Sequence, residues 1–230
     1  MLICENLVLK RGSFSLHANM TFDAGKAIAL IGPSGAGKST LLDAIAGFLA
    51  PVSGRLLWGD VDLTDADPGE RPVSMLFQDN NLFPHLSAAQ NVGLGLRPDL
   101  RQSAEDATKV AAVLADVGLA GFGDRKPSAL SGGQQSRVAL ARVLIADRPI
   151  VLLDEPFAAL GPALKDEMLD LVRSKLVSAG KTVIMVTHDP SDARHMADLA
   201  ALVADGKVSP PLATDHLFAD PPPTLKAYLG

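Results

Sequence analysis

Residues Gly32-Pro33-Ser34-Gly35-Ala36-Gly37-Lys38-Ser39-Thr40 constrain the fold of this 230-residue chain more than any other stretch. They follow the apolar run Ala27 to Ile31 and lead into a helical pattern from Ser39 to Ala46. A glycine-rich turn between a buried strand and a helix is a phosphate-binding loop. Its glycines let the backbone wrap an anion with N–H groups inward, and the helix N-terminus adds partial positive charge. Lys38 contributes a point charge for the β and γ phosphates of a nucleotide, and the Ser39 hydroxyl an oxygen for Mg2+. Such a loop implies an α/β core with a parallel sheet.

The rest of the chain is compatible with that core. Ile150 to Leu153 and Val183 to Val186 are short, continuous apolar runs, as in strands covered on both faces, and Val73 to Phe77 reads as another strand. The first 25 residues and Leu56-Leu57-Trp58 alternate more loosely and predict antiparallel strands beside the core. From 79 to 146 amphipathic helical patterns replace strand signals, most clearly at Ala104 to Val117. The expected architecture is therefore an α/β P-loop NTPase core (residues 1–78 and 147–230) with a parallel sheet, N-terminal antiparallel strands and an inserted α-helical subdomain over 79–146. One more helical turn is expected after Pro221-Pro222-Pro223.

Candidate chemistry gathers at predicted strand ends, where parallel sheets bind ligands. Asp154 and Glu155 close one strand: Asp154 suits Mg2+, and Glu155 suits a general base for an attacking water. Two acids there also describe a solvated turn, and the phosphate loop favours the catalytic reading. His188 ends another strand, where a γ-phosphate hydrogen bond is available to it, although a lone histidine is more often structural. Gln78 follows the strand Val73 to Phe77, with an amide suited to both Mg2+ and the attacking water. In Leu130-Ser131-Gly132-Gly133-Gln134, Ser131 is a good helix N-cap, and the two glycines leave N–H groups uncovered at the positive helix end. The pentapeptide suits a second phosphate-binding surface and equally an ordinary capped helix.

Composition narrows the functional classes. A net charge of -5 supplies no basic field for nucleic acid, so no nucleic-acid partner is expected. The single Cys4 cannot form an internal disulfide and reads as a small buried side chain. Met1 to Asn6 has no signal-peptide pattern, and no apolar run approaches the roughly 20 residues that span a bilayer, so a cytoplasmic chain is expected.

Taken in order and spacing, the phosphate loop, Gln78, Leu130 to Gln134, Asp154-Glu155 and His188 closely resemble the nucleotide-binding subunit of ABC transporters, over essentially the whole chain. That resemblance implies a single ATPase domain over 1–230, ATP and Mg2+ as cofactors, and a head-to-tail homodimer. Gly32 to Thr40 would bind ATP; Glu155, His188 and Gln78 would be catalytic; Ser39, Gln78 and Asp154 would hold Mg2+. Ser131, Gly132, Gly133 and Gln134 would act in trans, on the γ phosphate held by the partner. It further implies transmembrane permease subunits, a periplasmic solute-binding protein, and a peripheral location on the cytoplasmic face of the bacterial inner membrane. A narrower resemblance, in Arg71 to Leu86 and Gln90 to Leu96, is to the ATPases of bacterial thiamine importers.

Three positions depart from the family pattern. Gly161 stands where an aspartate links the two sites, and no tyrosine lies near Arg11 to stack on adenine, leaving Arg11 or Phe14 for that contact. Gln135-Ser136 follows the pentapeptide where basic or amide residues are usual. Other readings are an ABC import ATPase for another solute, a nucleotide-gated dimerisation module with weak hydrolysis motivated by Gly161, a soluble ABC ATPase acting on DNA or ribosomes, and a P-loop kinase. The last would leave Leu130 to Gln134 without a task.

Overall fold

The computed structural model describes residues 1–229. The chain opens with an antiparallel pair, β1 (Leu2–Arg11) and β2 (Phe14–Phe22), turned at Gly12. The buried strand β3 (Ala27–Ile31) then leads through the glycine loop into α1 (Lys38–Ala46). Next come β4 (Ser53–Trp58), which pairs with β1, the short β5 (Val61–Asp62), and β6 (Val73–Leu76). No strand falls between β6 and residue 149 among the described residues. Three α-helices occupy that span, α2 (Ala88–Gly93), α3 (Ala104–Asp116) and α4 (Gly132–Ala146), with a 3-10 turn at Pro127–Ala129 before the last.

Alternation then resumes with β7 (Ile150–Asp154), α5 (Pro162–Val172), β8 (Thr182–Val186) and α6 (Pro190–Met196). The chain continues through β9 (Leu199–Ala204), β10 (Lys207–Val208), β11 (Leu212–Ala213), α7 (Thr214–Ala219) and α8 (Pro223–Leu229). The sheet order is β5-β4-β1-β2-β10-β9-β3-β8-β7-β6, with β11 on β9. Strands β9, β3, β8, β7 and β6 are mutually parallel, as the continuous apolar runs predict. The alanine-rich β9, not foreseen from its composition, completes this parallel block.

Both faces of the block are covered, which explains why its strands do not alternate. Leu152, Ile184 and Val186 face a core shared with α1 (Leu41, Ile45) and the antiparallel strands (Leu2, Leu7, Phe22). Leu153, Val183 and Met185 face the opposite way, onto Met168 and Leu169 of α5 and Leu140 and Val143 of α4. The helical span has its own core, where Val92, Val110 and Leu114 meet Val138 and Ile145 of α4. Helix α4 is thus apolar on two sides and ties the inserted helices to the sheet.

Candidate functional site

Four loops leave the carboxyl ends of adjacent parallel strands. Register aligns Leu30 of β3 with Val186 of β8, Val186 with Asp154 of β7, and Leu153 with Leu76 of β6. The glycine loop, His188, Asp154-Glu155 and Gln78 therefore emerge side by side, although up to 156 residues separate them in sequence. In the glycine loop, Gly32 has φ 146°, and a Cβ there would lie 2.1 Å from the Val203 carbonyl oxygen of β9. Only glycine lets the backbone pass so close. Gly37 (φ 101°) caps α1 without a side chain, beneath the Phe14 ring. The first N–H groups of α1 thus face the loop.

Lys38 is buried, with its Nζ donating to the carbonyl oxygens of Gly32 (2.8 Å) and Pro33 (2.9 Å). Burial pulls its pKa down, against the raising pull of Glu155 and Asp154. The Ser39 hydroxyl donates to Asp154 Oδ1 at 3.0 Å. The Asp154 carboxyl is shifted upward, first by burial and further by the Glu155 and Asp43 charges, while the Ser39 hydrogen bond and Lys38 oppose the shift. The Ser39 hydroxyl and Asp154 carboxylate form an oxygen-only pair, a donor set suited to a hard cation that keeps several waters. Beside the loop lies an open cleft of about 300 Å³ that also touches Arg11, Phe14 and Glu155. Arg11 is ion-paired with Asp43 at 2.8 Å, leaving the Phe14 ring as the aromatic at this wall.

Glu155 adopts φ 44°, a left-handed conformation that costs a residue of this size on the order of 1–3 kcal/mol. Its N–H is anchored on the Val186 carbonyl oxygen (3.1 Å), and its Oε2 lies 3.0 Å from His188 Nδ1. The turn leaves the carboxylate within reach of His188, beyond the end of the neighbouring strand β8. Gln78 differs: its side chain is exposed, does not line the cleft, and makes no hydrogen bond among the described residues. The structure thus brings Lys38, Ser39, Asp154, Glu155 and His188 together and leaves Gln78 at the rim.

Sequence reasoning missed Lys165 on α5, which ion-pairs with both Asp189 (2.5 Å) and Asp192 (2.6 Å) behind His188. Lys165 and Ser191 hold the Asp189 carboxyl down at about 2. The Asp189-Pro190 pair was a readable helix start; Lys165, 24 residues away, carried no local signal.

Ser131 to Gln134 do not border the cleft. Ser131 caps α4 with a reciprocal box: its hydroxyl accepts from Gln134 N–H (3.3 Å), and Gln134 Oε1 accepts from Ser131 N–H (2.9 Å). Ser-x-x-Gln is the spacing such a box requires, beyond the N-cap expected of Ser131 alone. Gly132 stands in open space, while a Cβ on Gly133 would come within 2.4 Å of Leu164 Cδ2 of α5. Gly161 is the N-cap of α5, with ordinary φ −67° and no side-chain cap. Cys4 is buried in β1, and burial pushes its thiol up to about 12.

The sequence matches a family described as ABC transporter over residues 16–158. It is 60% identical to the Thiamine import ATP-binding protein ThiQ of Cereibacter sphaeroides, covering 100% of both chains, and 55% identical to the protein of that name from Ruegeria sp. (strain TM1040), again covering 100% of both. Among solved structures it is similar, at TM-score 0.80 and 32% identity, to the dimeric post-hydrolysis state of the ATP-binding cassette MJ0796 bound to ADP and Pi, covering 93% of this chain and 99% of that one. A nucleotide-free ATP-binding cassette from an ABC transporter superposes at TM-score 0.88 with 25% identity, covering 100% of this chain and 99% of that one.

Proposed function

The chain belongs to the ABC transporter family, and from that membership we propose that it is the ATP-hydrolysing subunit of an importer of thiamine or its phosphates. Two full-length relatives at 60% and 55% identity that carry a thiamine-import name support this substrate over other small solutes. In this reading residues 1–230 form one ATPase domain, with 79–146 as its helical subdomain. It works as a head-to-tail homodimer on permease subunits, peripheral to the cytoplasmic face of the inner membrane, and a periplasmic binding protein delivers the solute.

The carrying observation is the contact between Glu155 and His188 beside the phosphate loop. The N–H groups of residues 32–40 bind the phosphates, and Lys38 places its charge at the β and γ oxygens. Phe14 offers an apolar face for adenine. Ser39 and Asp154 would hold Mg2+, which neutralises phosphate charge when bound, and Gln78 would add an oxygen only by moving in from the rim. Glu155 accepts the proton of the attacking water, and His188, hydrogen-bonded to it, orients the carboxylate and reaches the γ phosphate. Ser131 to Gln134, away from their own chain's cleft, complete the partner's site. Burial of ATP between the two copies then drives the permease, and hydrolysis reopens the pair.

Size-exclusion chromatography tests the sandwich. Glu155→Gln protein is expected to dimerise with ATP, and Ser131→Arg to abolish that dimer. Two monomeric variants at high protein concentration, with ATP and permease present, would sink the reading.

A further inference from the structure

We propose that Tyr228 is a positioning residue for hydrolysis, its hydroxyl fixing the peptide that carries the His188 imidazole beside Glu155. The inference rests on the catalytic role given above to His188. The Tyr228 hydroxyl donates to the His188 carbonyl oxygen, a contact spanning 40 residues of sequence. The ring itself is half-buried against the cluster that includes Ala193, Phe218 and Leu225, the last of these one turn earlier on α8. An aromatic body packed in a core with its polar tip reaching outward defines the position of whatever that tip binds.

The residues flanking His188 are held by other means. Thr187 N–H donates to the Leu30 carbonyl oxygen of β3 (3.3 Å), and Asp189 N–H to the Thr187 hydroxyl (3.0 Å). The Asp189 carboxylate is pinned by Lys165. The His188 imidazole is largely exposed, with Glu155 as its side-chain partner. Residue 187 is thus tied to β3 and residue 189 to α5, while the His188 peptide between them has the Tyr228 hydroxyl as its support. Were that peptide to rotate, the Cα–Cβ bond would swing and the imidazole would leave Glu155. Burial foremost, and then the Glu155 and Asp189 charges, raise the Tyr228 phenol above its ordinary value, so it remains a donor at neutral pH.

The test is a mutant cycle in the full chain, assayed for ATP hydrolysis with Mg2+. Tyr228→Phe keeps the ring and removes the hydroxyl. It is expected to lower kcat roughly tenfold, the effect of one lost hydrogen bond, with KM for ATP and melting temperature unchanged. In a His188→Ala background the same change should cost nothing further. Tyr228→Ala, which also removes the ring, should match Tyr228→Phe in kcat and differ by a lower melting temperature. A wild-type kcat for Tyr228→Phe while His188→Ala is crippled overturns the proposal alone, as does an equal loss in both backgrounds. A His188→Ala enzyme of normal kcat overturns the role of His188 itself, and the proposal with it.

Discussion

Glu155 shows how much a single residue is asked to do. It is held in a left-handed turn by a backbone hydrogen bond to β8, and that turn brings its carboxylate to His188. Behind His188, Lys165 sits between two carboxylates and fixes Asp189, whose depressed pKa makes the arrangement pH-dependent. A carboxylate with a lowered folded-state pKa stabilises the fold above the unfolded carboxylate range, near 4, and loses that contribution as pH falls through about 2. Lys165→Met is thus expected to lower the melting temperature at pH 7, with the gap from wild type closing as pH drops from about 4 toward about 2. Thermal melts across that range, at constant ionic strength, check it; a gap that persists at the acid end would show that packing of the lysine stem carries the effect. Glu155 was legible in the sequence because it ends an apolar run. Lys165 was not, because its meaning lies in two acids on another helix.

At the scale of elements, α5 joins both halves of the proposed chemistry. Leu164 in its first turn lies under Gly133 at the start of α4, and the next residue, Lys165, grips the His188 loop. Its N-cap is Gly161, the departure from the family pattern, and the structure shows no backbone need for glycine there. The φ is ordinary and an added Cβ would meet nothing within 4 Å. Gly161→Asp is therefore expected to fold normally and to supply a helix cap worth a few tenths of a kcal/mol over glycine. ATP hydrolysis should be unchanged or faster. A complete loss of activity with an unchanged melting temperature would mean that the dimer has been rebuilt around glycine at this loop. Capping explains part of how legible the helices were: Ser131, readable as an N-cap, closes a reciprocal box with Gln134, and the structure adds boxes at Ser87 with Gln90 and Ser103 with Asp106. The five-residue π turn Arg173–Val177 that prolongs α5 had no such mark.

For the whole molecule, the formal net charge is -5, and no helix among the described residues is long and apolar enough to cross a membrane. In the proposed reading, transport depends on docking to membrane subunits, and the solute does not meet the ATP site. Reconstitution with the cognate permease and binding protein is the decisive measurement. Thiamine or its phosphates are expected to raise ATP hydrolysis, and a solute other than these giving the only stimulation would move the subunit to a different importer while leaving its ATPase chemistry intact.

By itself the sequence determined four of the five parallel strands, the glycine loop, the cap at Ser131 and the identity of the strand-end acids, because each depends on neighbours a few residues away: hydrophobic period, glycine at a tight approach, a hydroxyl before a helix. Tertiary structure alone decided which side chains share the site. Strand order places β3, β8 and β7 together, so Ser39 meets Asp154 and Glu155 meets His188, while Gln78, on the next strand out, stays at the rim. The same long-range packing brings Lys165 and Tyr228 behind His188 from helices distant in sequence. Local preference cannot encode such contacts, since the free energy that selects them comes from burying both faces of one sheet at once.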